Sequence, residues 1–195
     1  AAKNIYVNGK QLFSTVEMLQ KSFHSPIKAL MTNENGAATT VNGWLQAALT
    51  GLPFLDAPCN GRAHPTASMG SLNLSEVDDY VSYQAAAGGK GDYAISGTVV
   101  GKLDYTSNVI RYMSVQAGGM VGVARNPVQI SYIKKHAAVG GISQAIELGK
   151  VFLNEKNPLN KIEAVAAHLQ GRVIKVGDVK DFTIVTEGGF DVGRL

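Results

Sequence analysis

A strand–helix–strand pattern between residues 27 and 56 constrains the fold more than any other feature of this sequence. Its helical part has apolar residues spaced to lie on one face: Val41, Trp44, Leu45, Ala48 and Leu49. Gly51 and Pro53 follow where a helix normally ends. The flanking segments, 27–31 and 52–55, have the length and apolar character of short strands. Because such units are nearly always right-handed and parallel, we expect a parallel strand pair here.

Strand and helix patterns continue through the rest of the chain. Residues 4–13 predict a hairpin that turns at Asn8-Gly9, followed by a helix to about residue 23 that Ser14 and Glu17 cap. Further strands are predicted at 77–87, 93–100, 120–124, 172–176 and 179–186, and helices at 103–116, 127–137, 142–153 and from Asn157 to Gly171. The sequence therefore predicts a single α/β domain over 1–195, with a mixed sheet, flanking helices and a β-rich C-terminal segment.

Composition excludes several classes of protein. Hydrophobic residues make up 45% and charged residues 17%, which is typical of a globular chain. The net charge of +3 is too small to indicate nucleic-acid binding, and no apolar run approaches the ~20 residues of a membrane span. The single cysteine excludes an internal disulfide. Without a P-loop or a Gly-x-Gly-x-x-Gly turn between strand and helix, no nucleotide is expected. Because the N-terminal residues also lack the apolar segment of a signal peptide, we predict a cytoplasmic protein.

Two loops follow the strands of the parallel unit at their carboxyl ends, where open α/β sheets collect ligands. They comprise residues 33–36 and 56–65. Because the strands are expected to be parallel, both loops open on the same edge of the sheet. We therefore expect five chemically active side chains to converge there: Glu34, Asp56, Cys59, Arg62 and His64. Asn60 and Gly61 lie in the same loop and join Glu34 and Arg62 as candidate substrate-binding residues.

Each candidate also has a structural explanation. The role of Asp56 could be purely structural, as an acceptor of backbone N–H bonds in its own turn. Arg62 could hold the loop in place by pairing with Asp56 or Glu34. Cys59 and His64 suit a thiolate nucleophile with an imidazole base, whereas a lone cysteine is commonly a small buried side chain. A divalent metal such as zinc, bound by Cys59, His64, Asp56 and another histidine, stays open, although no paired-cysteine or His-Glu-x-x-His signature supports it. For Gly61, a turn that needs positive φ is a sufficient explanation.

Residues 52–65 carry a resemblance to a known family. They read Leu-Pro-Phe-Leu-Asp-Ala-Pro-Cys-Asn-Gly-Arg-Ala-His-Pro, against a family pattern of Pro-Val-Val-Asp-x-Asp-x-x-Gly-Arg-Ala-Phe-Pro, and later blocks at 118–124, 140–150, 171–179 and 188–194 match in order. The chain thus resembles the S-methyl-thiohydantoin desulfurase-like proteins, whose genes often accompany hydantoinase/oxoprolinase genes. Pro58 replaces the family's second Asp, and His64 replaces its Phe. Since family chains extend beyond both ends, we expect this chain to be part of a longer protein.

The resemblance implies a hydrolase or desulfurase, or part of one, that acts on a hydantoin- or thiohydantoin-like cyclic amide. It would cleave a C–S or C–N bond, with Asp56 as base or metal ligand, Arg62 as substrate-anion clamp and His64 as proton shuttle. The alternative is a non-catalytic structural domain, either a homo-oligomer or the partner of a hydantoinase-type protein. The replaced Asp and the short chain favour that alternative.

Overall fold

The described part of the chain forms a parallel strand pair, a three-stranded antiparallel sheet and a C-terminal hairpin. The computed structural model describes residues 5–62, 70, 72–187 and 190–194. The helices are α1 (Gly9–Ser22), α2 (Ala37–Thr40), α3 (Trp44–Thr50), α4 (Leu103–Gln116), α5 (Ile130–His136), α6 (Gly141–Asn154) and α7 (Pro158–His168). The strands are β1 (Leu30–Met31), β2 (Phe54–Leu55), β3 (Ser82–Gly88), β4 (Ile95–Gly101), β5 (Gly122–Arg125), β6 (Thr183–Glu187) and β7 (Phe190–Arg194). The predicted α/β class, with mixed strand pairing, is confirmed.

The parallel unit forms as predicted, although its strands are shorter. Leu30 pairs with Phe54 and Met31 pairs with Leu55, both in parallel register. The helix between them ends at Gly51, which has the left-handed φ of 70° that was expected of a helix-terminating glycine. This unit brings the loops after β1 and β2 to the same edge.

The helix in this unit differs from the prediction in its buried face. Gly43 interrupts the helix with a left-handed φ of 100°. Glycine suits this position, because a Cβ here would lie 2.8 Å from the Phe54 ring. The interruption shifts the phase of the helix, so that Gln46 and Ala47 are the residues it buries. The predicted apolar face is wrong, since four of its members are 45–55% exposed: Val41, Trp44, Leu45 and Leu49.

The three-stranded sheet has the order β4-β3-β5, and all its pairs are antiparallel. Gln84 of β3 donates a hydrogen bond of 2.9 Å to Thr106, so α4 covers the face to which Gln84 points. On the other face Tyr83 packs edge-on against Phe23, directly after α1. Neighbouring residues of a strand point to opposite faces, so α1 and α4 lie on opposite sides of the sheet. The buried centre of β3 forms part of the core.

The predicted N-terminal hairpin is wrong, because Asn8 begins α1 instead of a turn. The Asn8 side chain accepts a hydrogen bond from the Gln11 N–H, and the Gln11 side chain accepts one from the Asn8 N–H. This reciprocal pair is a capping box six residues earlier than the predicted one at Ser14. Ser14 itself lies inside the helix and donates to the Gln11 carbonyl. The helix ends near residue 23, as predicted.

The chain divides into two compact units, Ala1–Ala145 and Ile146–Leu195. In the second unit, Asn157 caps α7 through its side chain, as predicted. The predicted strand at 172–176 is wrong, because these residues form no strand in the structure. The strand β6 pairs instead with β7, in a segment for which the sequence patterns predicted no element. The single domain over 1–195 stays a prediction. Among the described helices, none is long and apolar enough to cross a membrane.

Candidate functional site

The loops after β1 and β2 meet, as the parallel topology predicts. Asn60 donates its backbone N–H to the Asn33 carbonyl at 3.0 Å, and Cys59 donates to the Thr32 carbonyl at the same distance. Glu34 forms an isolated parallel bridge with Asn60. The buried Asn60 side chain adds a hydrogen bond to the Asn33 carbonyl. The structure therefore brings Glu34, Cys59 and Asn60 together on one edge.

Asp56 ties its loop to the beginning of α6. Its Oδ1 accepts a hydrogen bond of 2.7 Å from the Ile142 N–H, and its Oδ2 accepts bonds from the Ser143 N–H and hydroxyl at 3.1 and 2.6 Å. Burial favours the neutral acid, but the hydrogen bonds from Ser143 and Ile142 outweigh it, so the pKa of Asp56 is lowered. The carboxylate is therefore ionised at neutral pH, and its three donors are those of a helix cap.

Cys59 is partly buried, in surroundings that favour the thiol. Burial raises the pKa of Cys59 to about 11, even though the positive charge of Arg125 acts in the opposite direction. Its side chain packs against a buried apolar cluster of Leu72, Leu74 and Leu103. A thiolate is the reactive form of cysteine, and this environment holds it to a small fraction at neutral pH.

The end of the second loop is exposed where the structure describes it. Gly61 and Arg62 are both exposed, and no described carboxylate lies within ion-pair distance of Arg62. The expectation of a positive φ at Gly61 is wrong, since its backbone lies outside the left-handed region. His64 lies outside the described residues, so its role as a proton shuttle stays a prediction.

Arg125, at the end of β5, is a site residue that the sequence reasoning missed. Its Nη2 donates a hydrogen bond of 3.2 Å to the Asn33 side chain, in the loop after β1. Burial lowers the pKa of Arg125, while electrostatic interactions with Cys59 and Glu34 act to raise it. The available signal was its position at the carboxyl end of a strand, directly after the Gly-Gly-Met-Val-Gly-Val-Ala block at 118–124.

A cavity of about 1040 Å³ opens beside these residues, within the first unit. Its polar lining includes five side chains from the loops and strand ends: Asn33, Cys59, Asn60, Tyr80 and Arg125. Leu72, Leu74 and Leu103 provide an apolar wall. Apolar walls with a few fixed polar groups are typical of small-molecule sites.

Tyr80 is the unusual member of this lining. Its hydroxyl is buried and has no hydrogen-bond partner among the residues that the structure describes. Burial raises the pKa of Tyr80, and its neighbours Tyr132 and Cys59 act in the same direction, so the hydroxyl keeps its proton. Tyr132, by contrast, donates its hydroxyl to the Leu72 carbonyl. A buried donor without a partner is uncommon in folded proteins and indicates a position for an additional acceptor.

The described residues contain no cluster of three or more His, Cys, Asp or Glu side chains able to hold a metal ion. Cys59 and Asp56, two of the metal ligands considered from the sequence, therefore share no such cluster within the described ranges. The third, His64, is outside them. What the cavity does supply is hydrogen-bond donors, from Arg125 and Tyr80, next to amide groups and an apolar wall.

Comparison with known proteins places the chain in a family. No curated protein matches the sequence. A crystal structure of a protein from Chromobacterium violaceum has a similar fold, with a TM-score of 0.64 and 19% identity over 93% of this chain. The chain spans only 50% of that protein. Two family models match, the S-Me-THD-like N-terminal domain over residues 2–97 and the S-Me-THD-like C-terminal domain over residues 102–195. The chain therefore belongs to the S-Me-THD-like family, as its sequence blocks predicted.

Proposed function

We propose that this chain is a hydrolase, or part of one, that acts on hydantoin- or thiohydantoin-like cyclic amides bound in the cavity beside Arg125. The observation that carries the proposal is the lining of that cavity. Asn33 and Asn60 present amide groups, Arg125 presents a guanidinium, and the Leu72 side of the cavity is apolar. A hydantoin ring has a matching arrangement, since its edge alternates N–H and C=O groups and its faces are flat.

The reaction depends on hydrogen-bond donors that stabilise negative charge more than on a nucleophilic side chain. For an S-methylated thiohydantoin, water would add to the amidine-like carbon and the C–S bond would break. Methanethiol would leave with one proton, and a ring carbonyl would remain, so that hydantoin and methanethiol are the products. Negative charge develops on the ring as water adds, and fixed donors such as Arg125 and Tyr80 stabilise such charge. Cys59 is not the nucleophile in this proposal, because its environment favours the thiol.

Asp56 holds the loop in this proposal instead of reacting, since three donors from α6 already occupy its oxygens. The sequence-based roles of Arg62 as an anion clamp and His64 as a proton shuttle stay predictions. Both residues belong to the same loop, 56–65, as Cys59 and Asn60, which line the cavity.

The test is a binding and turnover assay with the purified chain. We expect hydantoin and S-methyl-thiohydantoin to bind by titration calorimetry, and the second to release methanethiol, which a thiol reagent measures. N-acetylglycinamide, an open-chain amide, is the control ligand. Asn33→Ala should weaken binding, while the same change at the exposed Asn108 on α4 should not. If no cyclic amide binds better than the open-chain control, the proposed function is wrong.

The exposed apolar face near α3 favours a second candidate function, that of a non-catalytic structural or partner domain. Four large apolar side chains are 45–55% exposed there: Val41, Trp44, Leu45 and Leu49. Contiguous exposed apolar surface is typical of protein–protein contacts. A stable oligomer by light scattering, disrupted by Trp44→Ser and unresponsive to every cyclic amide, would support this candidate over the first.

A further inference from the structure

We propose that this chain forms a homodimer in which the edge strand β4 and the outer face of α4 pair with the same two elements of a second copy. The proposal goes beyond the proposed function, because none of the described residues on which it rests lines the cavity. Three observations carry it: an edge strand without the usual protection, an aromatic stripe beside that strand, and two opposite charges on the same helix.

The strand β4 lies at the end of its sheet and lacks the features that normally prevent further pairing. It pairs with β3 continuously from Ile95 to Gly101, without a bulge. Among the described residues, no other strand bonds to its outer edge, so the backbone N–H and C=O groups there can pair with another strand. Soluble proteins usually protect such an edge with charged residues, proline or a bulge. The β4 sequence, Ile-Ser-Gly-Thr-Val-Val-Gly, contains no charged residue and no proline.

The helix α4 carries an exposed aromatic stripe. Tyr105 and Tyr112 are 69% and 65% exposed, and Val109, which lies between them, is 44% exposed. Their spacing of i, i+4 and i+7 aligns the three side chains along one side of the helix. Tyrosine is enriched at the centres of protein–protein interfaces, where it contributes much apolar area at a small entropic cost.

The contacts of α4 with the sheet place this stripe beside β4. A Cβ at Gly97 would lie 3.8 Å from the Met113 side chain, and one at Gly101 would lie 3.7 Å from Thr106. Because Met113 follows Val109 by one turn, the stripe borders the side of α4 that faces β4. The same two contacts put the middle of β4 level with the middle of α4, so that a single two-fold axis can pair both elements.

Two opposite charges make this surface complementary to itself. Asp104 and Arg111 are both exposed and are seven positions apart, so they lie on one side of α4, next to the stripe. Neither forms an ion pair with a residue that the structure describes. When two α4 helices pack antiparallel, Asp104 lies near Arg111 of the partner subunit, and Tyr105 meets Tyr112 of the partner subunit. Charge complementarity therefore favours a second copy over an unrelated strand as the occupant of this surface.

The two-fold arrangement also limits the size of the assembly. Antiparallel pairing of β4 with β4 joins two three-stranded sheets into one of six strands, with the two α4 helices side by side on one face. Each copy presents the same patch, so the interface is used up when two chains have associated. We therefore expect a closed dimer and no larger assembly through this surface.

The experiment measures the dissociation constant of the dimer by sedimentation equilibrium of the full chain at micromolar concentrations. Tyr112→Ser removes an aromatic contact, and Thr98→Lys places a charge on the exposed side of β4. Each change should raise the dissociation constant at least about tenfold. Trp44→Ser is the control, since Trp44 is an exposed aromatic residue on α3 and should not affect this dimer.

A charge exchange tests the antiparallel arrangement of the helices. Asp104→Arg and Arg111→Asp should each weaken the dimer about tenfold, because each brings like charges together at two places across the axis. The double variant should restore the dissociation constant of the wild type, since opposite charges then meet again with their signs reversed. Damage to the helix itself would not be reversed in this way.

The outcomes distinguish this interface from others. A chain that is monomeric at every concentration, or that forms an assembly larger than a dimer, would overturn the proposal. A dimer that Trp44→Ser dissociates and Tyr112→Ser leaves intact would also overturn it, because the interface would then involve α3. Failure of the double exchange to restore the dimer would show that the helices do not pack antiparallel. Circular dichroism checks the folding of each variant, and Thr98→Glu replaces Thr98→Lys if the latter does not fold.

Discussion

The Asp56 carboxylate accepts a hydrogen bond of 2.6 Å from the Ser143 hydroxyl, although 87 positions separate the two residues in the sequence. The bond joins the loop after β2 to the first turn of α6, and the N–H of Ile142 adds a second contact of 2.7 Å. The backbone reinforces the junction, because the Asp56 carbonyl accepts from the Gly140 N–H. The loop that leads to Cys59 and Asn60 is therefore anchored on a helix from much later in the chain.

Asp56→Ala should destabilise the chain by removing this anchor. Loss of a helix-capping carboxylate costs about 1 kcal/mol, and the backbone contact of residue 56 stays in place. Urea unfolding followed by circular dichroism measures the effect. Asp78→Ala is the control, since Asp78 is exposed. Equal stabilities of the two variants would mean that the anchor contributes nothing to folding.

The stabilisation by Asp56 should depend on pH. Its pKa is lower in the folded chain than in the unfolded chain, so its contribution is fully present above its ordinary pKa of 3.8 and is lost as pH falls through the folded value. We expect the difference in unfolding free energy between the wild type and Asp56→Asn to be largest near pH 7 and to shrink below about pH 4. A difference that stayed constant between pH 7 and pH 3 would contradict a charged cap.

Local signals account for most of what the sequence predicted correctly. The helix at 103–116 is predicted with both its ends, because its periodicity and its terminating residues lie within the segment itself. The Asn157 cap of α7 and the parallel pairing of β1 with β2 follow from short patterns in the same way. The Asn8-Gly9 pair failed as a turn because the same two residues also suit the start of a helix, and Gln11 decides between the two.

The candidate site was predicted less completely, because its contacts are long-range. Glu34 and Asn60 could be placed together from strand topology alone. Arg125 could not, since 92 positions separate it from Asn33 and no local pattern connects them. The unpartnered hydroxyl of Tyr80 is likewise a property of packing, which depends on three dimensions. Strand topology thus predicted which loops meet, and packing determined which side chains line the cavity beside them.

Cys59 should react slowly in the folded chain. With a pKa of about 11, its thiolate fraction at pH 8 is roughly a hundredfold smaller than that of an ordinary cysteine, and burial limits access further. Since Cys59 is the single cysteine, alkylation by iodoacetamide reports on it alone. We expect the folded chain to react at least about a hundredfold more slowly than the chain in urea. Equal rates would indicate an accessible thiolate and would revive the nucleophile hypothesis.

Two glycines in the β3–β4 turn should respond very differently to alanine, although both have positive φ. At Gly89, with a φ of 70°, a Cβ would lie 2.0 Å from the Tyr93 carbonyl oxygen, whereas at Gly91, with a φ of 56°, it would meet nothing within 4 Å. Gly89 cannot shift easily, because its N–H donates to the Tyr6 carbonyl and its carbonyl accepts from the Gln11 side chain.

Gly91→Ala should therefore cost only the backbone strain of a left-handed residue, about 1–2 kcal/mol. Gly89→Ala adds a backbone clash to that strain and should cost more than about 4 kcal/mol, in the range reserved for severe steric conflict. Urea unfolding of the two variants beside the wild type measures both effects. Unfolding of both variants at the same denaturant concentration would contradict this prediction. It would mean that the turn relaxes by breaking its hydrogen bonds to Tyr6 and Gln11, and that these bonds do not stabilise the turn.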